Sequence, residues 1–221
     1  MRTPRSITFG SYNTHADGRW TLASWDLSPA VYKPNLVEVP GRSEPLDLST
    51  ALTDGEPTYS SRTLTAVFEG SEGTRLEREA RISQMVNALD GYRMNIILPD
   101  DAAHYITGRL SVARLYNDEA HGSVQVTAVC DPWRYAQAET VVNLQAAEYA
   151  QEAVLVNQGR RGMVPLLEVT GGDVLLVYGA ASWALSAGTY ALPDIYLDYG
   201  EHSLTYTGTA ALKFTYREAV L

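Results

Sequence analysis

The residues best suited to catalysis or metal binding are few and scattered along this 221-residue chain. The four histidines are His15, His104, His121 and His202, and none has a second histidine or cysteine at the spacing of a metal-binding motif. His104 and His121 could face each other across a hairpin, but such a pair is far more often a surface feature than a ligand pair. A metal site is therefore not expected.

No nucleophile, phosphate-binding loop or paired acids stand out either. The chain lacks a Gly-x-Ser-x-Gly elbow, and residues 159–162 (Gly-Arg-Arg-Gly) lack the lysine, hydroxyl residue and helix of a phosphate loop. Asp100 and Asp101 follow a proline and indicate a turn. Cys130 ends an alternating apolar run, which favours a buried small side chain over a reactive thiol. The sequence predicts a protein that is not an enzyme and holds no cofactor.

The overall charge excludes further classes of function. The chain has 26 acidic and 17 basic side chains, a formal net charge of −9, whereas a nucleic-acid-binding protein needs clustered cations. No apolar run is long enough to span a membrane, and no apolar segment follows the basic residues 1–5, so a signal peptide is not expected. The single cysteine excludes an internal disulfide framework. We therefore expect a protein that is made in a cytoplasm and does not leave by secretion.

The composition favours β structure, because the chain has 14 Tyr and 4 Trp against 3 Phe, together with 17 Gly and 10 Pro. Alternating runs in the first half predict strands at residues 6–9, 21–25, 62–69, 93–98, 105–115 and 123–129. The polar residues 116–122 between the last two runs predict a hairpin.

One helix is predicted between these strands, over residues 74–90. Thr74 and Glu77 have the spacing of a capping box, and Gly91 lies where a left-handed C-cap is needed. The expected buried stripe is Leu76, Ala80, Ile82, Met85, Val86 and Leu89. The expected solvated face is Arg75, Glu77, Arg78, Glu79 and Arg81.

The pattern changes near residues 131–135, where a proline interrupts the last strand, and we place a domain boundary at 135–140. Residues 136–150 are polar and alanine-rich, with no clear period. Short runs separated by turns then predict a small β-sandwich, with strands at 153–156, 165–169, 173–178, 183–185, 194–197, 203–206 and 212–216.

The aromatic residues of this second half suggest one binding function. Tyr178, Trp183 and Tyr190 lie among turn residues, as do Tyr196 and Tyr199, and exposed rings can stack on sugars. In strands, however, the same residue types usually fill cores and cross-strand pairs. A carbohydrate-binding module contacting host surface glycans, with Tyr178, Trp183 and Tyr190 as its stacking residues, is therefore the alternative function.

Several segments, in order, resemble the distal tail proteins of siphophages. In the first half they are residues 35–49 (Asn-Leu-Val-Glu-Val-Pro-Gly-Arg-Ser-Glu-Pro-Leu-Asp-Leu-Ser), 55–59, 62–64, 88–91, 105–109 and 130–135. In the second half they are residues 157–159, 164–165, 188–193 and 214–218. Each motif is short, and their order and spacing over nearly the whole chain carry the resemblance.

The resemblance implies a structural protein of a long non-contractile phage tail. Residues 1–135 would form a tail-tube-like β domain with one helix that assembles into a hexameric ring, and residues 136–221 a galectin-like or carbohydrate-module-like β-sandwich. The ring would join the tail tube to the tail tip or baseplate and leave a channel for DNA. Its partners would be further copies of itself, the tail tube protein, the tail-tip or baseplate protein and the tape measure protein. It would assemble in the host cytoplasm and reside at the virion tail tip.

A ring subunit needs loops and edges that meet neighbouring copies, since such rings close through heterologous contacts. We predict that contact at Pro40, Gly41, Arg42, Leu46 and Leu48. A surface turn followed by an edge strand explains the same residues equally well. From the net charge we also expect an acidic or neutral channel, along which DNA slides without being held.

Overall fold

Nearly all regular structure in the molecule is β, with 53% of residues in strands and 7% in one helix. The computed structural model describes residues 5–53 and 55–221. Residues 1–4, on which the signal-peptide expectation depends, lie outside the described residues. The prediction of a mainly β protein with one helix is confirmed. The chain folds into two compact units, of which the first ends at Arg134 and the second is Tyr135–Leu221.

The first unit is built on one antiparallel sheet with the strand order β2-β1-β7-β8-β9-β6-β3. The strands are β1 (Thr8–Phe9), β2 (Tyr12–Asn13), β3 (Thr21–Leu27), β4 (Leu36–Val37), β5 (Leu46–Asp47), β6 (Arg62–Gly70), β7 (Arg93–Leu98), β8 (Asp101–Asn117) and β9 (Gly122–Ala136). Helix α1 (Arg75–Leu89) lies between β6 and β7. Strands β8 and β9 are neighbours in the sheet, as the predicted hairpin requires.

One face of this sheet makes the core of the first unit. In β6, Leu64, Ala66 and Phe68 are completely buried, while the alternate residues Thr63, Thr65 and Val67 lie on the opposite face. The largest fully buried apolar side chains of this core are Trp20, Phe9, Phe68, Ile7, Leu64, Met85, Leu89, Ile96, Ile106 and Leu110. The period-two alternation that predicted this strand is the alternation of its core-facing and outward-facing residues.

The ends of helix α1 are as predicted. The Thr74 hydroxyl accepts from the Glu77 amide at 3.3 Å, and the Glu77 carboxylate accepts from the Thr74 amide at 2.7 Å. Gly91, just after the C-cap, has a φ of +78°, the left-handed conformation that glycine adopts without strain.

The buried face of α1 differs from the prediction. Leu76 is 80% exposed and Ala80 is also exposed, whereas Arg78 is completely buried. The buried residues are Arg78, Ile82, Met85 and Leu89, spaced by four, three and four. At about 100° per residue, Leu76 and Ala80 lie on the opposite side of the helix from Arg78 and Ile82. The stripe continues toward the N-terminus through an arginine rather than through the apolar residues.

Replacing Thr74 with alanine is expected to lower the free energy of unfolding by about 1 kcal/mol, because the cap loses its acceptor. Hydrogen bonds from the Thr74 amide and from its hydroxyl lower the pKa of Glu77, and alanine removes the one from the hydroxyl. A carboxyl with a lowered folded-state pKa stabilises above its unfolded pKa and loses that effect as the pH falls. The difference between variant and wild type should therefore shrink in acid, as urea titrations at several pH values would show. Ser83→Ala, on the exposed face of α1, should leave stability unchanged or slightly raised; an equal loss there would contradict the capping account.

The second unit is a β-sandwich of two four-stranded sheets, ordered β10-β17-β12-β15 and β11-β16-β13-β14. Its eight sandwich strands are β10 (Thr140–Gln145), β11 (Gln151–Asn157), β12 (Leu166–Thr170), β13 (Val174–Tyr178), β14 (Ala181–Leu185), β15 (Gly188–Ala191), β16 (Gly200–Gly208) and β17 (Ala211–Tyr216), and the short strand β18 (Ala219–Val220) belongs to neither sheet. Leu155, Leu167, Leu176 and Phe214 are completely or almost completely buried in its core.

The strand predictions for the second unit were wrong at residues 194–197 and missed β10, β15 and β18. Residues 194–197 are a turn and an extended segment with a single bridge between Leu197 and Met163, not a strand. The alternation of buried Ile195 and Leu197 resembles a strand, but Pro193 and the turn after it leave only one residue to pair. Strand β10 was missed because its alanine-rich flanks hide the inward-facing Val142 and Leu144.

Candidate assembly surface

Residues 31–53 and 55–60 form an arm between β3 and β6 that contributes almost nothing to the core. Within the described part of the arm, Ser49 is the only buried residue. Strands β4 and β5 pair with each other through Leu36 with Asp47 and Val37 with Leu46, and they belong to no larger sheet of the described residues. A two-stranded hairpin of this size is marginal in water on its own. The arm is therefore suited to packing against another surface.

The β4–β5 hairpin ends in a turn whose conformation follows from its local sequence. The Arg42 amide donates to the Val39 carbonyl at 3.1 Å, with Pro40 and Gly41 between them. Gly41 has a φ of +86°, and a proline followed by a positive-φ glycine matches a type II turn. The structure thus places Pro40, Gly41 and Arg42 in an exposed turn and Leu46 in β5, with half-buried Leu48 just after it.

Local hydrogen bonds keep the second half of the arm ordered. The Leu48 amide donates to the Asn35 carbonyl at 2.8 Å, and the Asn35 amide donates to the Ser49 hydroxyl at 2.7 Å. The Ser49 amide in turn donates to Asp47 Oδ1 at 2.9 Å. Hydrogen bonds from the side chain and backbone of Ser49 lower the pKa of Asp47, so the carboxylate stays ionised as their acceptor.

Aromatic packing fixes the base of the arm to the first unit. The rings of Tyr32 and Tyr59 lie edge to face with centroids 6.2 Å apart, and Tyr59 packs in the same way on Trp133 of β9 at 5.4 Å. The Ser60 amide also donates to the Val31 carbonyl at 2.8 Å. These contacts set the direction in which the arm leaves the sheet.

The arm carries more exposed apolar side chains than a solvated loop needs. They are Val31, Tyr32, Leu36, Val37, Leu46 and Leu52, the last of which is 95% exposed. Clusters of this kind mark interaction surfaces. Together with the outer edges of β4 and β5, which pair with no other strand of the described residues, they make the arm a candidate surface for protein–protein association.

The acidic and histidine residues considered for chemistry do not converge on a site. Asp101 lies 2.7 Å from His104 Nδ1 and 2.8 Å from Arg134 Nη1. Partial burial alone would raise the pKa of Asp101, but His104 and Arg134 hold it below its usual value. His121 lies in the β8–β9 turn, where its amide donates to Asp118 Oδ1 at 2.7 Å. Throughout residues 5–53 and 55–221, no three His, Cys, Asp or Glu side chains are grouped to hold a metal ion.

The single cysteine packs in the core of the first unit. Cys130 is 1% exposed, and burial raises the pKa of its thiol to about 11. The thiol is therefore neutral at physiological pH and acts as a small apolar side chain.

The three aromatic residues proposed to stack on glycans are only half exposed. Tyr178, Trp183 and Tyr190 all pack against the core of the second unit. The Tyr190 hydroxyl donates to the Ser186 carbonyl at 2.9 Å, and the Tyr178 hydroxyl lies 2.8 Å from His202 Nδ1. Their rings therefore contribute to the sandwich itself.

The single helix of the described residues lacks the length and apolar character needed to cross a membrane.

Comparisons with known proteins identify the fold. No protein-family model and no curated protein sequence matches the chain. Among solved structures, it is similar to the crystal structure of the Dit protein (gp 19.1) of SPP1, described as a paradigm of the hub adsorption apparatus in phages infecting Gram-positive bacteria. The TM-score is 0.67 over 97% of this chain and 99% of that one, at 13% sequence identity. The resemblance to siphophage distal tail proteins is thereby confirmed at the level of the fold.

Proposed function

We propose that this chain is a structural subunit at the end of a long non-contractile phage tail. Six copies form a ring that joins the tail tube to the tail tip or baseplate and leaves a channel for DNA. The observation that carries the proposal is the shared fold with the SPP1 hub protein across both units of the chain. Because the similarity includes nearly all residues of both proteins, it extends to the whole architecture rather than to one common domain.

The arm supports assembly into a ring of identical copies. A closed ring needs one surface that reaches out and a different surface that receives it. The exposed apolar residues of the arm, its braced turn and its two open strand edges provide the first of these surfaces. Pro40, Gly41, Arg42, Leu46 and Leu48 are its proposed contact residues.

The outer face of the large sheet supports a channel that does not hold DNA. Cross-strand pairs in its middle bring together uncharged polar side chains, Thr65 with Thr127 and Asn95 with Thr107. The same face also pairs Arg93 with Arg109, and the charge of Arg93 is offset by Asp131 at 2.6 Å. A phosphate backbone binds where lysine and arginine release its counterions, and threonine and asparagine offer no such charge. This face is the proposed channel lining.

The remaining assignments follow from this role. The ring contacts the tail tube protein on one side, the tail-tip or baseplate protein on the other, and the tape measure protein within. The subunit is not an enzyme, assembles in the host cytoplasm and resides at the virion tail tip.

The purified protein is expected to form particles with the mass of six 24.2 kDa chains, visible as rings in negative-stain images. The double variant Leu36→Asp, Leu46→Asp places charges on the apolar surface of the arm. It should fold normally and sediment as a monomer, because a desolvated carboxylate opposes the contact. Light scattering and sedimentation velocity measure both outcomes.

Leu175→Asp is the matched control, since Leu175 is about half exposed but lies on β13 of the second unit. This variant should keep the hexamer. Wild-type protein that stays monomeric at its highest soluble concentration, alone and with tail tubes, would contradict the ring. A double variant that still forms hexamers would contradict the role of the arm.

A further inference from the structure

Two exposed tyrosines lie on a short segment of the second unit, residues 195–200, which we call the tyrosine segment. Ile195 and Leu197 point into the core and are almost fully buried. Tyr196 is 40% exposed and Tyr199 is 73% exposed. The segment therefore presents aromatic surface outward while its alternate residues anchor it.

The backbone of the tyrosine segment is held rigidly in place. Leu197 and Met163 exchange two backbone hydrogen bonds of 2.8 and 3.1 Å. The buried side chain of Asn157 donates a third to the Leu197 carbonyl at 3.0 Å. Rings on a braced segment lose little freedom on binding, which is the condition for a preformed site.

A side-chain network orients the one carboxylate of the segment. His202 Nε2 lies 3.1 Å from Asp198 Oδ1 and 3.0 Å from the Asp198 carbonyl, and since both are acceptors, Nε2 carries a proton. On the other side of the ring, the Tyr178 hydroxyl lies 2.8 Å from Nδ1 and 3.3 Å from the Tyr196 carbonyl. Asp198 itself remains 66% exposed, so its carboxylate can still accept from a ligand.

Gly162 makes room for the first ring of the segment. A Cβ atom at residue 162 would lie 2.2 Å from the Tyr196 hydroxyl and 2.3 Å from its ring carbon Cζ. The Tyr196 ring can therefore occupy its position only above a glycine. The substitution Gly162→Ala would therefore displace the Tyr196 ring without removing it.

We propose that the tyrosine segment is a binding site for an uncharged saccharide. Tyr196 and Tyr199 supply rings for the apolar faces of sugar rings, and Asp198 accepts from sugar hydroxyls. Aromatic surface beside an oriented hydrogen-bond acceptor suits a ligand whose ring faces are apolar and whose edges carry hydroxyls.

The surrounding charge selects against anionic polymers. Three acidic residues, Asp194, Asp198 and Glu201, lie in or beside the segment, against two basic residues, Arg160 and Arg161, which precede Gly162. Acidic groups repel phosphate-bearing polymers and leave neutral glycans unaffected. This site does not depend on ring assembly, because all its residues belong to the second unit.

The test is an NMR titration of the isotope-labelled full chain, with resonances of the second unit assigned. The probes are neutral hexasaccharides of glucose (β-1,4 and α-1,4) and of N-acetylglucosamine, with polyglycerol phosphate as the anionic comparison. At least one neutral probe should shift the amides of residues 195–200 with a Kd on the order of millimolar, as expected for a small open site. Polyglycerol phosphate should leave them unshifted.

Four variants locate the site. Tyr199→Ala, Tyr196→Ala and Gly162→Ala should each weaken binding at least fivefold. The matched control is Tyr149→Ala, which removes another tyrosine with 69% exposure. The Ala147 carbonyl accepts from the Gly208 amide, and Gly208 and Gly200 are the two ends of β16. Tyr149, two residues from Ala147, is therefore at the end of β16 remote from the tyrosine segment. This control should bind as wild type does.

Three outcomes would overturn the proposal. They are the absence of shifts at residues 195–200 with every neutral probe, stronger binding of polyglycerol phosphate than of any neutral probe, and binding by Tyr199→Ala equal to that of Tyr149→Ala. Thermal unfolding of Tyr199→Ala, which removes a mostly exposed ring, should match wild type and so separates lost binding from lost folding. Hexamer formation, measured on the same samples, reports on the proposed ring independently.

Discussion

Replacing Arg78 with alanine is expected to destabilise the first unit by about 3–5 kcal/mol, a large part of the stability of a typical domain. The guanidinium is completely buried and donates to the carbonyls of Gly73 and Asp118 at 2.6 Å each. It also donates to the Glu119 carbonyl at 3.1 Å and to Asn117 Oδ1 at 3.2 Å. Alanine would leave these acceptors without their donor and would leave a cavity where the buried arginine side chain lies.

The geometry of Arg78 explains why a lysine should rescue it only in part. The planar guanidinium spans the segment before α1 and the β8–β9 turn at once, whereas a single ammonium cannot reach all of these acceptors. Arg78→Lys should therefore fall between alanine and wild type in a urea titration followed by circular dichroism. We expect the alanine variant to melt roughly 10 °C lower in its first transition.

Arg75→Ala provides the matched control for this experiment. Arg75 is on the same helix, is 63% exposed and meets Glu119 only at 3.9 Å. Surface pairs of this kind contribute little, so its loss should change stability by less than about 0.5 kcal/mol. Equal losses of stability in the two alanine variants would show that the hydrogen bonds of Arg78 do not hold the helix to the β8–β9 turn.

Arg78 also shows where sequence reasoning ends. The capping box, the C-terminal glycine and most strands were predictable, because each depends on residues a few positions apart. The burial of Arg78 depends on Asp118 and Glu119, about 40 positions away, whose carbonyls need a donor only once the β8–β9 turn lies beside the helix. An arginine between glutamates is typical of a solvated face, and nothing local distinguishes this one.

The turn of the arm was predictable from the sequence, but the exposure of its side chains was not. The sequence Val-Pro-Gly-Arg predicts a turn wherever it occurs, and the structure has one there. The arm buries almost no side chain because no other element of the described residues covers it. No local sequence pattern encodes whether a segment will be covered. From the sequence alone, apolar residues in paired strands such as Val37 and Leu46 would be expected to lie in a core, whereas both are exposed here.

The aromatic residues of the second unit illustrate the same limit. Tyr178, Trp183 and Tyr190 were singled out by their turn-rich surroundings, yet all three pack on the sandwich core. Tyr196 and Tyr199 have similar surroundings but are exposed, because Ile195 and Leu197 fill the core positions beside them. Alternation predicts that neighbours face opposite ways, and only the fold decides which one faces inward.

The second large effect is expected from Asn157→Asp, an almost isosteric change in the core of the second unit. Asn157 is fully buried, its amide donates to the carbonyls of Arg161 at 3.1 Å and Leu197 at 3.0 Å, and its oxygen accepts from the Gly159 amide at 2.8 Å. A carboxylate keeps the last bond but places a charged oxygen against two carbonyl oxygens. We expect a loss of about 3–5 kcal/mol at pH 7, measured by urea unfolding.

The pH dependence identifies charge as the cause. Burial beside two carbonyls raises the folded-state pKa of the introduced carboxyl above its unfolded value of about 3.9, so the penalty is smallest below that pH and grows as the pH rises toward the folded-state pKa. Gln158→Glu makes the same chemical change at the next, exposed residue and should alter stability by less than about 0.5 kcal/mol at any pH. A loss that is equal at pH 3 and pH 7 would mean that shape, not charge, governs this position. Because the Leu197 carbonyl is also an anchor of the tyrosine segment, the variant should bind saccharide more weakly than Gln158→Glu even where both are fully folded.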